Sequence, residues 1–571
     1  MKSIILLLVL FIISCVDLFP QKVGDAYALD INNIYLPLNR KGVLADANVP
    51  PNGSGGQFGS GTFLFSGGFF LSGYSNGQLW ANAVASATLV EDYLQGTSPN
   101  GQHDPAAQLY KIRYDDQPFG QSWQEWTDAV DLGADFYDGN GDHIYTPIDL
   151  NGNSQWDPNE DCPDILGDEM LWCVFYDGVP SSQRRWNTVE PQGIEIRQTV
   201  FAYSTVSELQ NIIFIRYRIK NTGLVANEMT DVYFGVWDDP DLGDSQDDLI
   251  GCDTLLKGGF TYNDGPDALY GNNPPSFFAS TLVGPVTYIP GVTFIDNNSN
   301  GTYEEGVDTP LDTAYVHRGE VLGIKEYPGA KNQNISSMVH YLNGDPNIGD
   351  PSSKEEARNY MLGLNRTGYL LDPCTWYKGQ VRGGVDCSLV NPLFWYSGDP
   401  VTNYGWINIE PRDQRQMQNI GPFTLVAGEE YEIFVAYSVG QGTDALSSST
   451  EVKDISMIAG VLYSSNFDTS TIVSVDETSS GNIPDKYFLS QNFPNPFNPS
   501  TMIKFTIADF GFVNLKIYDV LGNEVATLAD EYKSPGSYEV EFDASCLPSG
   551  IYFYQLKTEG FVETKKMILV K

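Results

Sequence analysis

Residues 213–219 read Ile-Phe-Ile-Arg-Tyr-Arg-Ile, so Ile215, Tyr217 and Ile219 alternate with Arg216 and Arg218. A two-residue period sends successive side chains to opposite faces, which suits an antiparallel strand with one face buried and one wet. Residues 194–200 and 232–237 carry similar β-rich runs, and Asn221-Thr222-Gly223 supplies a turn between two of them. Residues 421–425 and 431–439 are predicted to pair as a hairpin, and 54–87 as short strands broken by Gly/Ser turns. Helical spacing appears twice. Trp123, Trp126, Ala129 and Val130 predict about three turns of helix. Ser448-x-x-Glu451 has the form of a capping box before Val452, Ile455, Ala459 and Leu462, for a helix ending near Ser464. No βα alternation is present, so the fold class is mainly β, an antiparallel, sandwich-like body with a few helices.

Charge limits the partners. The 571 residues hold 32 Lys and Arg against 73 Asp and Glu, a formal net charge of −41. Phosphate backbones require clustered cations, so nucleic acid is excluded as a partner. Disorder is not implied, because 42% of residues are hydrophobic and 33 Tyr, 30 Phe and 10 Trp can fill a large core. The acids are also concentrated. Residues 128–168, 238–253 and 296–312 hold 23 of them and no Lys or Arg.

The chain opens as a secretory signal: Lys2, then an apolar run over 4–13. That run is shorter than the roughly 20 residues of a membrane-spanning helix, and no later stretch reaches that length. The mature chain is therefore expected to have no transmembrane segment. Ile12-Ile13-Ser14-Cys15 loosely matches a lipobox; ordinary cleavage between 14 and 28 is preferred. Cys162/Cys173 and Cys374/Cys387 are close pairs that an oxidising compartment would bridge, while Cys252 and Cys546 have no evident partner.

The last 85 residues carry the sharpest pattern. Alternating runs around Ile503, Val513, Val525, Tyr538, Ile551 and Phe561 recur about every ten residues, as in a small β-sandwich. Phe488-Leu489-Ser490-Gln491-Asn492-Phe493-Pro494-Asn495-Pro496-Phe497-Asn498-Pro499 opens this region. Residues 513–524, Leu547-Pro548-Ser549-Gly550-Ile551-Tyr552 and the terminal Lys565-Lys566-Met567-Ile568-Leu569-Val570-Lys571 follow. Together they closely resemble the type A C-terminal sorting domain of the type IX secretion system. Cys546 is the one departure. The resemblance implies an immunoglobulin-like β-sandwich and a Gram-negative source of the Bacteroidetes kind. It further implies export through the periplasm by the type IX machinery, with release or anchoring to surface lipopolysaccharide. The expected organisation is a signal peptide at 1–22, β-rich parts at 23–250 and 251–467, a linker at 468–487 and the sorting domain at 488–571.

Site signals lie in acidic-Asn spacing. Asp138-x-Asn140-x-Asp142 runs to Asp149 in position twelve. Asp149-x-Asn151-x-Asn153-x-x-x-Asp157 runs to Glu160 in position twelve of a second register. Alternate side-chain oxygens on a tight loop wrap a hard cation, and position twelve closes the shell. Asp149 would then bridge two ions. Position six carries His143 and Ser154 instead of the usual Gly, so neither is a standard EF-hand loop. Asp296-x-Asn298-x-Asn300-Gly301-x-x-Glu304 has that Gly, with Asp308 one residue late for closure. Structural Ca2+ is the expected cofactor. The acids over 238–248 lack alternating spacing and are expected to form a solvated or loosely ion-screened surface.

Enzyme signals are thin, and no catalytic residue is assigned. Gly73-Tyr74-Ser75-Asn76-Gly77 matches GxSxG, but an antiparallel context favours a Gly/Asn turn. His103, His143, His317 and His340 stand alone, without a metalloprotease spacing. The leading expectation is a secreted or cell-surface protein with a structural, adhesive or ligand-binding role and an unknown ligand. The alternative is a secreted hydrolase acting on polysaccharide, which should set two carboxylates about 5–10 Å apart in an aromatic-lined cleft.

Overall fold

The computed structural model describes residues 22–85, 92–98, 107–472, 487–507, 511–520, 523–533, 536–545, 547–558 and 561–570. The signal segment, Cys15, His103, most of the expected linker and Cys546 lie outside these. The chain divides into two compact units, Met1–Ala459 and Gly460–Lys571.

Two large sheets build the first unit. One runs Lys22–Gly24, Leu109–Arg113, Glu169–Tyr176, Ile194–Ala202, Ile212–Asn221, Glu430–Gly440, Ser276–Val283, Gly258–Tyr262 and Leu249–Asp253. The other runs Ala26–Leu29, Ile34–Asn39, Gly56–Phe58, Gly61–Ser75, Glu228–Pro240, Gln414–Val426 and Ile335–Leu342, with Gln78–Val84 beside Gly61–Ser75. Their strand pairings are antiparallel. The inner faces interlock through aromatic contacts. Phe69 meets Tyr217 at 5.3 Å and Phe63 meets Phe277 at 5.5 Å, each pair crossing between sheets. Aromatic pairs of this kind add roughly 0.5–1.5 kcal/mol each beyond area burial.

Several sequence expectations change here. Residues 54–85 do form strands separated by turns, Gly56–Phe58, Gly61–Ser75 and Gln78–Val84, but the middle one is long, at 15 residues. Gly68 makes this possible, because a Cβ there would stand 2.2 Å from the Val84 carbonyl of the neighbouring strand. Asn76 and Gly77, both at positive φ, turn that strand into Gln78–Val84, and this is where the GxSxG match falls. The expected hairpin over 421–439 is instead an arch. Gln414–Val426 pairs in one sheet and Glu430–Gly440 in the other. A hydrophobic run cannot reveal this, since both strands are buried whichever sheet they join.

The arginines of 213–219 are not in water. Arg216 is 2% exposed. Its guanidinium meets Asp135 and Asp164 at 3.2 Å and Glu432 at 2.7 Å, and Arg218 pairs with Asp135 and Glu430. The segment carrying helix Gln121–Asp131 covers this outer face, with Trp126 against Trp172 at 6.3 Å. Covering the face with acids gives the sheet a second, ionic layer.

Helix Ala445–Ser464 starts three residues before the expected cap. Asp444 and Ser447 exchange the capping hydrogen bonds, Ser447 N–H to Asp444 Oδ1 at 2.8 Å and Asp444 N–H to Ser447 Oγ at 2.9 Å. Ser448 instead donates to the Pro274 carbonyl. Helix Lys354–Met361, capped by Ser353 on the Glu356 amide, covers the other sheet and was not expected. Cys374–Cys387 is a disulfide. Cys162 and Cys173 are not bridged and both are buried. Cys162 belongs to a two-stranded ribbon with Phe136–Tyr137, whereas Cys173 lies in the main core.

The second unit is a smaller sandwich. Phe488–Leu489, Ser500–Ile507 and Gly536–Asp543 form one sheet. Glu524–Lys533, Gly511–Tyr518, Gly550–Thr558 and Phe561–Leu569 form the other. Leu515, Ile517, Tyr554, Phe505 and Met567 are among the residues of its core.

Candidate functional site

The three Asx-rich loops adopt one conformation, residue for residue. In each, the position-one carboxylate accepts amides from its own loop. Asp138 accepts from Gly141, Asp142 and His143. Asp149 accepts from Gly152, Asn153 and Ser154. Asp296 accepts from Asn300 and Gly301. Asn140, Asn151 and Asn298 in position three each accept the amide two residues on, at 2.8, 2.9 and 3.1 Å. Asp142, Asn153 and Asn300 in position five do the same, at 2.8, 2.7 and 2.8 Å.

Positions four and six are left-handed throughout: Gly141 and His143, Gly152 and Ser154, Ser299 and Gly301, with φ between 60° and 80°. Side chains other than Gly resist this region, so His143, Ser154 and Ser299 are held there by the loop's own hydrogen bonds.

Closure also follows one rule, and it differs from the sequence expectation for the first loop. A single carboxylate takes the amides of positions two and nine. For the second loop this is Glu160, from Leu150 at 2.7 Å and Asp157 at 3.0 Å. For the third it is Asp308, from Asn297 at 2.9 Å and Glu304 at 2.8 Å. For the first it is Asp161, from Gly139 at 3.1 Å and Thr146 at 2.8 Å. Asp149 has both oxygens turned to its own loop. Asp161 lies far beyond position twelve, where a spacing rule does not look. Glu160 and Asp161 are adjacent and 1% exposed, so one buried dipeptide closes both tandem loops. Gly139 fits because a Cβ there would stand 2.3 Å from the Glu160 carbonyl.

Position-nine acids complete the second and third loops. Asp157 accepts from Asn151 and Asn153 at 2.7 and 2.9 Å, and Glu304 accepts from Asn298 and from Asn300 at 3.0 Å. The Ser154 amide, then those of Gly152 and Asn153, hold the Asp149 pKa below the ordinary carboxylate value. Burial pushes Asp138 up, but the amides of His143 and Gly141 outweigh it and its pKa is also lowered. Position-one carboxylates, side-chain oxygens at three and five and, in the second and third loops, an acid at nine are the hard-oxygen donor set that Ca2+ takes.

The acids over 238–248 behave oppositely. They were expected on a solvated surface, yet Asp238 and Asp248 are 0% exposed and Asp239 4%. The cause is register, since Glu228–Pro240 is a central strand that carries Asp238 and Asp239 between its neighbours. Asp238 accepts a hydrogen bond from the Tyr437 hydroxyl, and burial raises its pKa to about 7. One oxygen each of Asp239, Asp241 and Asp413 lies within 4.8 Å of the others. Burial raises Asp239 to about 8 even with Arg415 at 3.1 Å, and burial with Asp413 raises Asp241 to about 7. A glycosidase pair stands about 5–10 Å apart across an open cleft. These oxygens are closer, and Arg415 pairs with both Asp239 and Asp413.

The comparisons with known proteins divide the chain at the same place as its motifs. Residues 491–571 match the family described as secretion system C-terminal sorting domain. This tail marks the chain for export by type IX secretion to the cell surface or the extracellular space. The body matches no named family, and no curated protein matches the chain. Among solved structures, a polysaccharide lyase aligns with 66% of this chain at 8% identity and a TM-score of 0.20. The chain spans about a third, 34%, of that protein's length. No helix among the described residues is long and apolar enough to cross a membrane.

Proposed function

We propose that the body is a calcium-stabilised β-sandwich that works at the cell surface or in the medium as a structural, adhesive or ligand-binding protein. The sorting tail would engage the type IX machinery and lead to release or to anchoring on lipopolysaccharide. One observation carries the calcium reading. Three loops with a different residue in position six of each share the same left-handed sites and the same closing bonds to positions two and nine. The loops' own hydrogen bonds hold this shared conformation, and it is the one that a hard cation wrapped by the same positions in each loop would need. The tandem pair sits above Arg216 and Arg218 through Asp135 and Asp164, so ion binding would brace the outer layer of the larger sheet.

The test is thermal unfolding of the purified body in excess chelator and in millimolar calcium. At a hundredfold excess over Kd a single site adds about 2.7 kcal/mol, so the midpoint should rise by several degrees. Identical midpoints in the two buffers would refute calcium stabilisation. Asp149→Ala should remove the second loop's share of the shift and leave that of the other two, because both of its oxygens serve its own loop.

A further inference from the structure

Asp239, Asp241 and Asp413 gather outside the three Asx-rich loops, at the ends of two paired strands. Glu228–Pro240 and Gln414–Val426 are antiparallel with Asp238 opposite Gln416, so the chain leaving one strand meets the chain entering the other. Asp241 and Asp413 come together there beside Asp239, and one oxygen of each lies within 4.8 Å of the others. Like charges opposed across strands repel unless something neutralises them. Arg415 supplies one positive charge, at 3.1 Å from Asp239 and 2.7 Å from Asp413. One guanidinium against three carboxylates leaves a negative excess, and Asp350 adds to the same field. Asp241 is the least compensated. Among the described residues its carboxylate takes no hydrogen bond and no Lys or Arg ion-pairs with it.

A second observation comes from the neighbouring strand Gly61–Ser75, which carries no acid of its own. Ser66 stands directly opposite Asp239 in the antiparallel register. Side chains of such a pair leave the same face, with Cβ atoms about 4.5–5.5 Å apart. The adjacent pair fixes which face. A Cβ on Gly67 would stand 3.3 Å from Asp238 Oδ1 and 2.8 Å from the Tyr437 hydroxyl, so Gly67 and Asp238 look between the sheets. Ser66 and Asp239 therefore share the outer face. Ser66 is 0% exposed, yet its hydroxyl has no hydrogen-bond partner. Asp239 Oδ1 likewise accepts no hydrogen bond, although Arg415 is near it. A buried hydroxyl with no partner, aimed at carboxylates in negative excess, is what the wall of a cation site presents. We propose that Asp239, Asp241 and Asp413 bind a divalent cation of the calcium class beside the Ser66 hydroxyl. Carboxylate and hydroxyl oxygens are hard ligands, and the flexible shell of Ca2+ accepts such a set more readily than the strict octahedron of Mg2+. Asp241 and Asp413 are half-buried, which leaves the ion a route from solvent. The site shares no residue with the Asx-rich loops and does not depend on their occupancy.

The test is anomalous diffraction from crystals of the full chain soaked in calcium chloride. A peak about 2.3–2.6 Å from oxygens of at least two of the three carboxylates is expected. Peaks at the Asx-rich loops with none here would overturn this proposal alone; a peak here with none there would overturn the loop reading alone. Asp241→Asn gives the second measure. In chelator the variant should melt no lower than the wild type, because it removes a repelling charge. In calcium its midpoint should rise less than that of the wild type. Calorimetric titration should show this site weakened at least tenfold and the calcium count lowered by one per chain. An unchanged count and affinity, or a midpoint lowered by the same margin in both buffers, would overturn the proposal.

Discussion

The two acidic regions of the body solve the same electrostatic problem in opposite ways. Over 138–149 the carboxylates lie on the surface loops and are met by their own backbone amides, which lowers the pKa of Asp138 and Asp149 below the ordinary carboxylate value. Over 238–248 the carboxylates are drawn into the fold by a central strand, and burial raises Asp238, Asp239 and Asp241. Sequence acidity therefore has no single structural meaning. Local hydrogen bonding sets it in one region and strand register in the other.

The largest expected effect comes from removing the cation beneath the first region. Arg216→Met leaves Asp164 and Glu432 without their buried partner, and breaking such a network costs about 3–5 kcal/mol. Urea unfolding should show that loss. A loss under 1 kcal/mol would mean that the loop module stands without its arginine seat and that the comparison is drawn in the wrong place.

This contrast also marks how far the sequence could be read. Alternation at 213–219 located a strand correctly, Ile212–Asn221, because a period of two is a property of the residues alone. That Arg216 would be buried was not legible, since its partners Asp135, Asp164 and Glu432 arrive from 52 or more residues away. The same limit explains the arch at 427–429, which continues local patterns while changing sheets. Spacing found the opening residues of all three Asx-rich loops and the closing Glu160 and Asp308. It missed Asp161, whose role depends on Gly139 packing against Glu160. The tail was legible throughout, because its motifs follow one another in order at short range.

A second prediction uses the opposite signs of the two regions. Asp238 has a folded pKa near 7 against the ordinary 3.8, so the native state holds the extra proton between these values. Its contribution to stability is present at low pH and lost as pH rises through about 7. Asp138 and Asp149 have lowered folded values, so theirs is present above the ordinary carboxylate pKa and lost as pH falls below it. Asp238→Asn keeps an acceptor for Tyr437 and abolishes the titration. Between pH 5 and 8 the wild type should lose about 2 kcal/mol more than the variant, read from urea midpoints. Parallel curves would place the Asp238 proton outside that window and remove the sign difference.

The smallest effect is the most specific test of the first region. His143, Ser154 and Gly301 occupy the same position in three loops, and all three are left-handed. A non-glycine residue there costs roughly 1–2 kcal/mol, offset in part by the extra chain entropy that glycine brings to the unfolded state. Ser154→Gly should therefore stabilise the chelated protein by about 0.5 kcal/mol, and Gly301→Ser should destabilise it by a similar amount. The two changes are mirror images only if the loops share one backbone. Were both variants to shift stability in the same direction, the loops would differ in conformation, and with that their common ion chemistry would lose its footing. Equal and opposite shifts in chelator, each enlarged or reduced together when calcium is added, would tie the backbone to the ion.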